Sequence, residues 1–247
     1  MQYYGVTDIG MKRTENQDRI YLPGSTDEIM LFIVADGMGG ANAGGTASRM
    51  AIEYARQAII ADLHLEIPIE REQIEAIIRN AIINANKYVY GKSKENPEYT
   101  GMGTTLSIAL IIKNKVYIGH VGDSRIYRIR KNIMRQLTKD HSYVQALVQD
   151  GSITKEEAEH HPQKNMLLKA VGCEEEIEPD VMVKGFLKDD VLLMCSDGLT
   201  NMMDTKDIYD EIVEGKKNLK KTCNSLINHS KINGGYDNIS VILIFND

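Results

Sequence analysis

TTLSIALIIKNKVYIGHVGDSRIYRIR, residues 104–130, decides the fold class. Its β-branched runs at 104–112, 115–121 and 124–130 follow one another with no room for an intervening helix. The short links at Lys113-Asn114 and Arg130-Lys131-Asn132 suit antiparallel hairpins, because neighbouring parallel strands need a long crossover. The spacing therefore predicts a β-meander in the middle of the chain.

Outward from that block, residues 2–9, 16–22, 29–35, 181–186, 190–195 and 239–245 also read as strands. Helical periodicity places Met50, Ala51, Tyr54, Ala55, Ala58 and Ile59 on one face. It does the same for Ile74, Ile77, Ile78, Ala81, Ile82, Ala85 and Val89. Shorter helices fit 142–149, with Ser142 as N-cap and Gly151 just beyond, and 154–160, with Thr154 and Glu157 as a capping box. Two more fit 205–213 and 217–231. Clustered strands with clustered helices indicate an α+β class, helices covering the outer faces of antiparallel sheets.

The 247 residues include 5 prolines and 20 scattered glycines, with no linker or repeat, so one domain over 1–247 is expected. Lys+Arg number 29 against 35 Asp+Glu, a net charge of -6, which offers no grip on a polyanion and argues against nucleic acid as the partner. No apolar run reaches the roughly 18 to 20 residues that span a bilayer, and the opening residues lack a signal peptide's apolar core. A cytoplasmic chain without membrane insertion is expected. Cys173, Cys195 and Cys223 have no metal-ligand spacing and read as reduced, small, buried apolar residues.

The acidic residues stand at the ends of apolar strands. Ile29 to Ala35 stops at Asp36-Gly37, and Val191 to Cys195 stops at Ser196-Asp197-Gly198. VYIGHV runs into Gly122-Asp123, and Asp237-Asn238 precedes the last strand. Singly, each is ordinary turn chemistry. As a set, they would meet at one rim of the sheets, where mutual repulsion raises their pKa values unless cations neutralise them. All-oxygen donors suit Mg²⁺ or Mn²⁺, whereas zinc would recruit His or Cys. Gly37 would let a backbone carbonyl approach an ion.

GMGGANAGG after Asp36 is a weak nucleotide loop, since Asn42 stands where G-x-G-x-x-G needs glycine. It reads either as a turn into a helix from about Gly45 or as a phosphate support. Arg13 precedes Asp18 by five residues in GMKRTENQDR. Alone it is a solvated charge; beside an acidic rim its guanidinium would clamp a phosphate dianion.

Seven segments follow in order along essentially the whole chain: TDIGMKRTENQD, VADGMGG, GMGTTLSIAL, VGDSRIYRI, LTKDHS, LLMCSDGL and GGYDNISVIL. Together they resemble the PP2C-type metal-dependent protein serine/threonine phosphatases in their compact bacterial form. The resemblance implies a four-layer α-β-β-α sandwich, two antiparallel sheets flanked by helices, with a binuclear Mn²⁺ or Mg²⁺ centre at one end. It implies Asp36 as the carboxylate bridging both ions, Gly37 as a carbonyl donor, and Asp197 and Asp237 as further ligands of one ion. Asp18 corresponds to a residue holding metal-bound water, and Arg13 to the phosphate clamp. Asp123 with Asp197 matches the third ion of bacterial relatives.

This chain departs from the pattern at Gln17, where many relatives have Glu, and at Met38, where eukaryotic relatives have a His proposed to protonate the leaving group. The general acid is therefore unassigned: His141 in KDHS is tempting, but it reads better as a satisfied structural histidine, and His120, His160 and His161 rank below it as acids.

The implied reaction is hydrolysis of phosphoserine and phosphothreonine on proteins by a metal-bridging hydroxide, without a covalent phosphoenzyme. No C-x5-R phosphatase nucleophile is present. Residues 142–178, with the charged stretch KEEAEHH, suggest a surface subdomain, by resemblance the flap that shapes substrate access. The expected partners are phosphorylated proteins, including a cognate Ser/Thr kinase, with the chain a monomer. The competing readings are a non-hydrolysing sensor of the same fold and an ATP-binding kinase-like protein.

Overall fold

The computed structural model describes residues 1–40, 43–63 and 69–247; Ala41 and Asn42 of the glycine-rich loop lie outside the described residues. The strands of the first half are β1 (Gln2–Asp8), β2 (Arg19–Tyr21), β3 (Met30–Ala35), β4 (Gly37–Met38), β5 (Gly103–Thr104), β6 (Leu106–Ile112) and β7 (Lys115–Val121). Helices α1 (Ala43–Asp62) and α2 (Arg71–Glu95) separate β4 from β5. Then come β8 (Arg125–Arg130), β9 (Ile133–Gln136), α3 (Tyr143–Gln149), α4 (Lys155–Glu159), β10 (Asp180–Gly185) and β11 (Val191–Cys195). The chain finishes with α5 (Asp197–Thr200), α6 (Thr205–Gly215), α7 (Leu219–Ile232) and β12 (Ile239–Phe245).

Two five-stranded sheets, ordered β1-β12-β11-β8-β9 and β10-β7-β6-β3-β2, are antiparallel throughout. The sequence predicts a meander through β6, β7 and β8, and here the structure differs. β6 and β7 form the expected hairpin, Ile112 pairing with Lys115, but β8 leaves for the other sheet. The break falls at Gly122, whose φ of 108° is open to glycine and strained for other residues. β8 then turns back as β9 through Lys131 and Asn132, both at positive φ, as a two-residue type I′ turn requires.

Three apolar layers hold the sandwich together. Between the sheets, Phe32, Val34, Ile118, Phe186, Leu192, Met194, Ile242 and Ile244 are buried together. Ala47, Ala51, Ala55 and Ile59 of α1 and Ile74, Ile78, Ile82 and Val89 of α2 cover one outer face with Leu31, Ile33 and Ile108. The small α1 side chains let the helix lie close; Tyr54, expected on that face, is 38% exposed because the buried stripe is rotated toward Ala47. Leu199, Ile208, Ile212, Cys223, Leu226 and Ile227 cover the other face against Leu193, Val241 and Leu243. At about 25 cal/mol per Å² of apolar area removed from water, these layers are the main favourable term. The architecture is the four-layer α-β-β-α sandwich.

The N-caps read from sequence are present: Ser142 accepts Gln145 N–H, and Thr154 with Glu157 forms a capping box on α4. Among the described residues, no helix is long and apolar enough to cross a membrane.

Candidate metal and phosphate site

The strand registers bring the aspartates to one end. Arg19 pairs with Ala35 and Leu106 with Val121, so Asp18, Asp36 and the Gly122-Asp123 corner leave one sheet on the same side. In the other sheet Cys195 pairs with both Arg125 and Val241, so Asp123, Asp197 and Asp237 share that side too. Asp36, Asp123, Asp197 and Asp237 line one cavity of about 730 Å³, together with Arg13, Gln17, Gly37, Met38, Thr105 and Asn238. Asp18 is fully buried and does not line it.

The carboxylates act on one another. Burial first, then the charges of Asp18, Asp197, Asp123 and Asp237, push Asp36 well above the usual carboxylate range. Burial and the charge of Asp197 do the same to Asp123, with Arg125 opposing. Asp197 is raised by burial and by Asp237, against relief from hydrogen bonding to Asp36 and Asn201. Asp18 is pushed up to about 6 by burial, although Ser196 and Ser240 both donate to it. Asp237 is the carboxylate with a cation: Arg13 Nη2 donates to its Oδ2 at 2.7 Å. That bond heads the causes that raise Arg13.

This arrangement fits hard divalent cations. The donors are oxygens throughout, and Asp18 Oδ1 and Asp197 Oδ1 are buried without a hydrogen-bond partner. At Gly37 a Cβ would collide with the carbonyl oxygen of Gly44 and stand 2.7 Å from that of Gln17, so the backbones of three segments converge where only glycine fits. Among the described residues, no three His, Cys, Asp or Glu side chains close into a ready-made metal cage. Mg²⁺-like ions take one or two carboxylates with several waters and favour oxygen donors of this kind.

The family Protein phosphatase 2C matches residues 11–226. The chain belongs to that family. Serine/threonine phosphatase stp of Listeria welshimeri is 41% identical over 238 residues, 96% of this chain and 93% of the relative. The serine/threonine phosphatase of S. agalactiae has the same fold, with a TM-score of 0.91 at 35% identity, covering 100% of this chain and 99% of that one. The catalytic domain of serine threonine protein phosphatase PstP, solved in complex with 2 manganese ions, gives 0.83 at 31% identity over 98% and 96%. This PP2C protein is a metal-dependent protein serine/threonine phosphatase, acting on phosphoproteins.

None of the described histidines lines the large cavity of the phosphatase. His120 is fully buried, with Ser107 Oγ 2.9 Å from Nδ1 and the Lys139 carbonyl 3.1 Å from Nε2, and burial pushes it down to about 3. His141 accepts the Gly122 N–H at Nδ1 at 3.2 Å, and its Nε2 stands 3.4 Å from Asp180. That acceptor role fixes the neutral tautomer and ties the Asp123 corner to its neighbours. Cys195 and Cys223 are buried as expected, but Cys173 is exposed, because the 170–178 segment runs along the cavity wall rather than through the core.

Several residues of the phosphatase site carry no isolated signal in the sequence. Thr105 Oγ1 accepts the Asp36 N–H at 2.9 Å and meets Ser124 Oγ at 2.7 Å, fixing the floor. Asn238 accepts the Gln17 N–H and donates to the Ile9 and Glu15 carbonyls, tying the Arg13 loop to β12. Arg125 grips Asp140 through Nε at 2.9 Å and Nη2 at 2.7 Å. That pair lines a second cavity of about 480 Å³, which shares Asp123, Asn165 and Asp197 with the first. Only the adjacency of Asn238 to Asp237 and of Arg125 to Asp123 hints at these roles.

Proposed function

We propose that the phosphatase hydrolyses phosphoserine and phosphothreonine monoesters by direct attack of water, at the cavity ringed by Asp36, Asp123, Asp197 and Asp237. The observation that carries this reading is the convergence of these carboxylates with Arg13 on one cavity. Asp36, Asp197 and Asp237, with the Gly37 carbonyl, would hold two ions, Mn²⁺ or Mg²⁺, supported from below by Asp18; Asp123 and Asp197 would hold a third. When bound, such ions neutralise phosphoryl oxygens and lower the pKa of water.

The side chains do the rest. Arg13, exposed at the lip, takes the phosphate dianion through its guanidinium and in doing so exchanges its bond to Asp237. Asp237, freed of that bond, would be available to hold a cation. Thr105 Oγ1 is committed to Asp36 N–H and Ser124, so it is no nucleophile, and although Cys173 reaches the surface, desolvation of its thiol along the cavity wall, with the charge of Glu174 adding, raises its pKa away from the reactive thiolate. A covalent phosphoenzyme has no evident donor among these groups. With Met38 rather than His in the cavity, no imidazole among the described residues is placed there to protonate the leaving alkoxide.

Residues 142–178 form the flap of a single domain spanning 1–247. Support comes from their path: Tyr143 N–H bonds the Met166 carbonyl and Leu168 N–H the His141 carbonyl, closing the base, while Asn165, Leu167 and Lys169 face the cavity. On this reading the enzyme works as a monomer in the cytoplasm, opposing a Ser/Thr kinase, in keeping with the family it belongs to.

The test is turnover of p-nitrophenyl phosphate and of a phosphothreonine peptide with Mn²⁺, Mg²⁺ or EDTA. Turnover that needs the cation and is lost in Asp36→Asn supports the site; metal-dependent turnover retained by Asp36→Asn overturns it.

A further inference from the structure

The two oxygens of Asp18 are treated unequally. Oδ2 accepts Ser196 Oγ and Ser240 Oγ, each at 2.7 Å, whereas Oδ1 is buried without a partner. Ser196 directly follows β11 and Ser240 lies in its neighbour β12. Ser196 N–H bonds the Ser240 carbonyl at 3.1 Å, and Ser240 N–H bonds Ser196 Oγ at 2.9 Å. Because Ser196 Oγ accepts that N–H, its own proton is free to point at Asp18. Ser240 Oγ is braced in turn, 2.8 Å from Thr7 Oγ1, which accepts Asn16 Nδ2 at 2.9 Å. The register that pairs Arg19 with Ala35 sets Asp18 beside Asp36 across β2 and β3.

Two hydroxyls on one carboxylate oxygen fix the group's plane and saturate that oxygen. The other keeps its full acceptor capacity in a place that water reaches poorly, which is costly unless something uses it. Resting on the reading above, we propose that Ser196 and Ser240 are positioning residues that hold Asp18 by Oδ2, so that Oδ1 serves the divalent-cation site. Their hydroxyls thereby set cation affinity from outside the ligand shell. Partners of this kind typically change metal affinity by about 10- to 100-fold when removed.

The bland alternative is that the serines only satisfy a buried charge. It predicts a less stable fold with unchanged affinity. Ser240→Ala is the cleaner variant, because Ser196→Ala also strands the Ser240 N–H.

The experiment is calorimetric titration of the full chain with Mn²⁺, without substrate, alongside thermal melting in EDTA, for wild type, Ser240→Ala, Ser196→Ala and Asp36→Asn. The expected result for Ser240→Ala is a Kd about tenfold weaker, with cooperative melting retained in EDTA. Wild-type Kd in both serine variants overturns the inference. If Asp36→Asn loses Mn²⁺ while the serine variants keep it, only the serine role fails. If Asp36→Asn keeps the wild-type affinity, the cation site itself is misplaced, and the serine role falls with it. Should Ser240→Ala melt without a cooperative transition, Ser240→Cys, which keeps a weak donor of similar shape, carries the test: its Kd is expected between those of wild type and the ten-fold-weaker value, and a wild-type Kd counts against the inference.

Discussion

Asn86 Oδ1 accepts the backbone N–H of Gly172 at 2.7 Å from the middle of α2, where the asparagine is fully buried. Its Nδ2 donates to the Glu174 and Glu175 carbonyls at 3.0 and 3.1 Å. One side chain thus fastens the 172–175 segment, whose neighbours Ala170, Glu176 and Ile177 wall the cavity. Val171 continues the connection by pairing with Thr104, which bonds the Asp36 carbonyl.

Asn86→Ala strands the Gly172 N–H and should cost about 1–3 kcal/mol of stability. The kinetic expectation is more specific. KM for a phosphoprotein rises by roughly tenfold, about 1.4 kcal/mol, while KM for p-nitrophenyl phosphate, which does not reach along the wall, stays near wild type. Steady-state kinetics on both substrates checks the split; an equal rise on both refutes the wall's role in protein binding.

Arg13→Ala should separate stability from activity in the opposite way. The Arg13–Asp237 pair is solvent-exposed, at 54% and 33%, so its loss should move stability by less than about 1 kcal/mol. With Arg13 as the proposed phosphate clamp, its removal should nevertheless lower kcat/KM by roughly 10²-fold. Arg13→Lys keeps the charge without the two-pronged geometry and should recover part of that loss. Thermal melting beside kinetics decides it.

How far the sequence reaches is visible in these residues. Asp36 and Asp197 are legible because an apolar run ending in Asp-Gly marks both a turn and a strand mouth. Arg13 gains meaning only through its distance from Asp18. Asn86 and Ser240 are silent, since their partners are backbone groups or carboxylates far along the chain, and a polar residue on an apolar helix face has no local signature. The switch of sheets at Gly122 is also hidden, because Gly-Asp reads equally well as a hairpin turn.

Asp36→Asn should abolish cation-dependent turnover and also stabilise the cation-free protein at neutral pH. Asp36 and Asp123 are held well above the usual carboxylate range, and Asp18 at about 6, so the folded state binds protons that the unfolded chain releases. Stability from these groups is therefore full below the unfolded carboxylate pKa, near 4, and is lost as pH rises through about 6 for Asp18 and higher for the others. In EDTA the wild-type melting temperature should fall between pH 5 and 8 more steeply than that of Asp36→Asn. At pH 7.5 the variant should melt higher by about 2–4 °C for each kcal/mol of repulsion removed. Adding Mn²⁺ should raise the wild type alone. A variant that melts lower than wild type at pH 7.5 in EDTA would show that Asp36 stabilises the fold rather than straining it.

The histidines give the last prediction. An aryl phosphate leaves without a proton, whereas a serine or threonine alkoxide needs one, so loss of a general acid shows up selectively on phosphopeptide. His141 holds Gly122 N–H at Nδ1, and His120 is neutral between Ser107 and the Lys139 carbonyl, so neither imidazole is placed to give a proton in the cavity. His141→Ala should cost about 1–3 kcal/mol by stranding the Gly122 N–H. His120→Ala should cost most above pH 6.5. His120 must stay neutral in the fold, so the wild type itself loses stability as pH falls from about 6.5 toward 3, a loss the variant escapes. Yet the ratio of kcat/KM on phosphopeptide to that on p-nitrophenyl phosphate should stay within about twofold of wild type in each variant, well short of the 10²-fold expected for a general acid. A selective collapse on phosphopeptide in either one would identify the proton donor and place it outside the cavity residues named above.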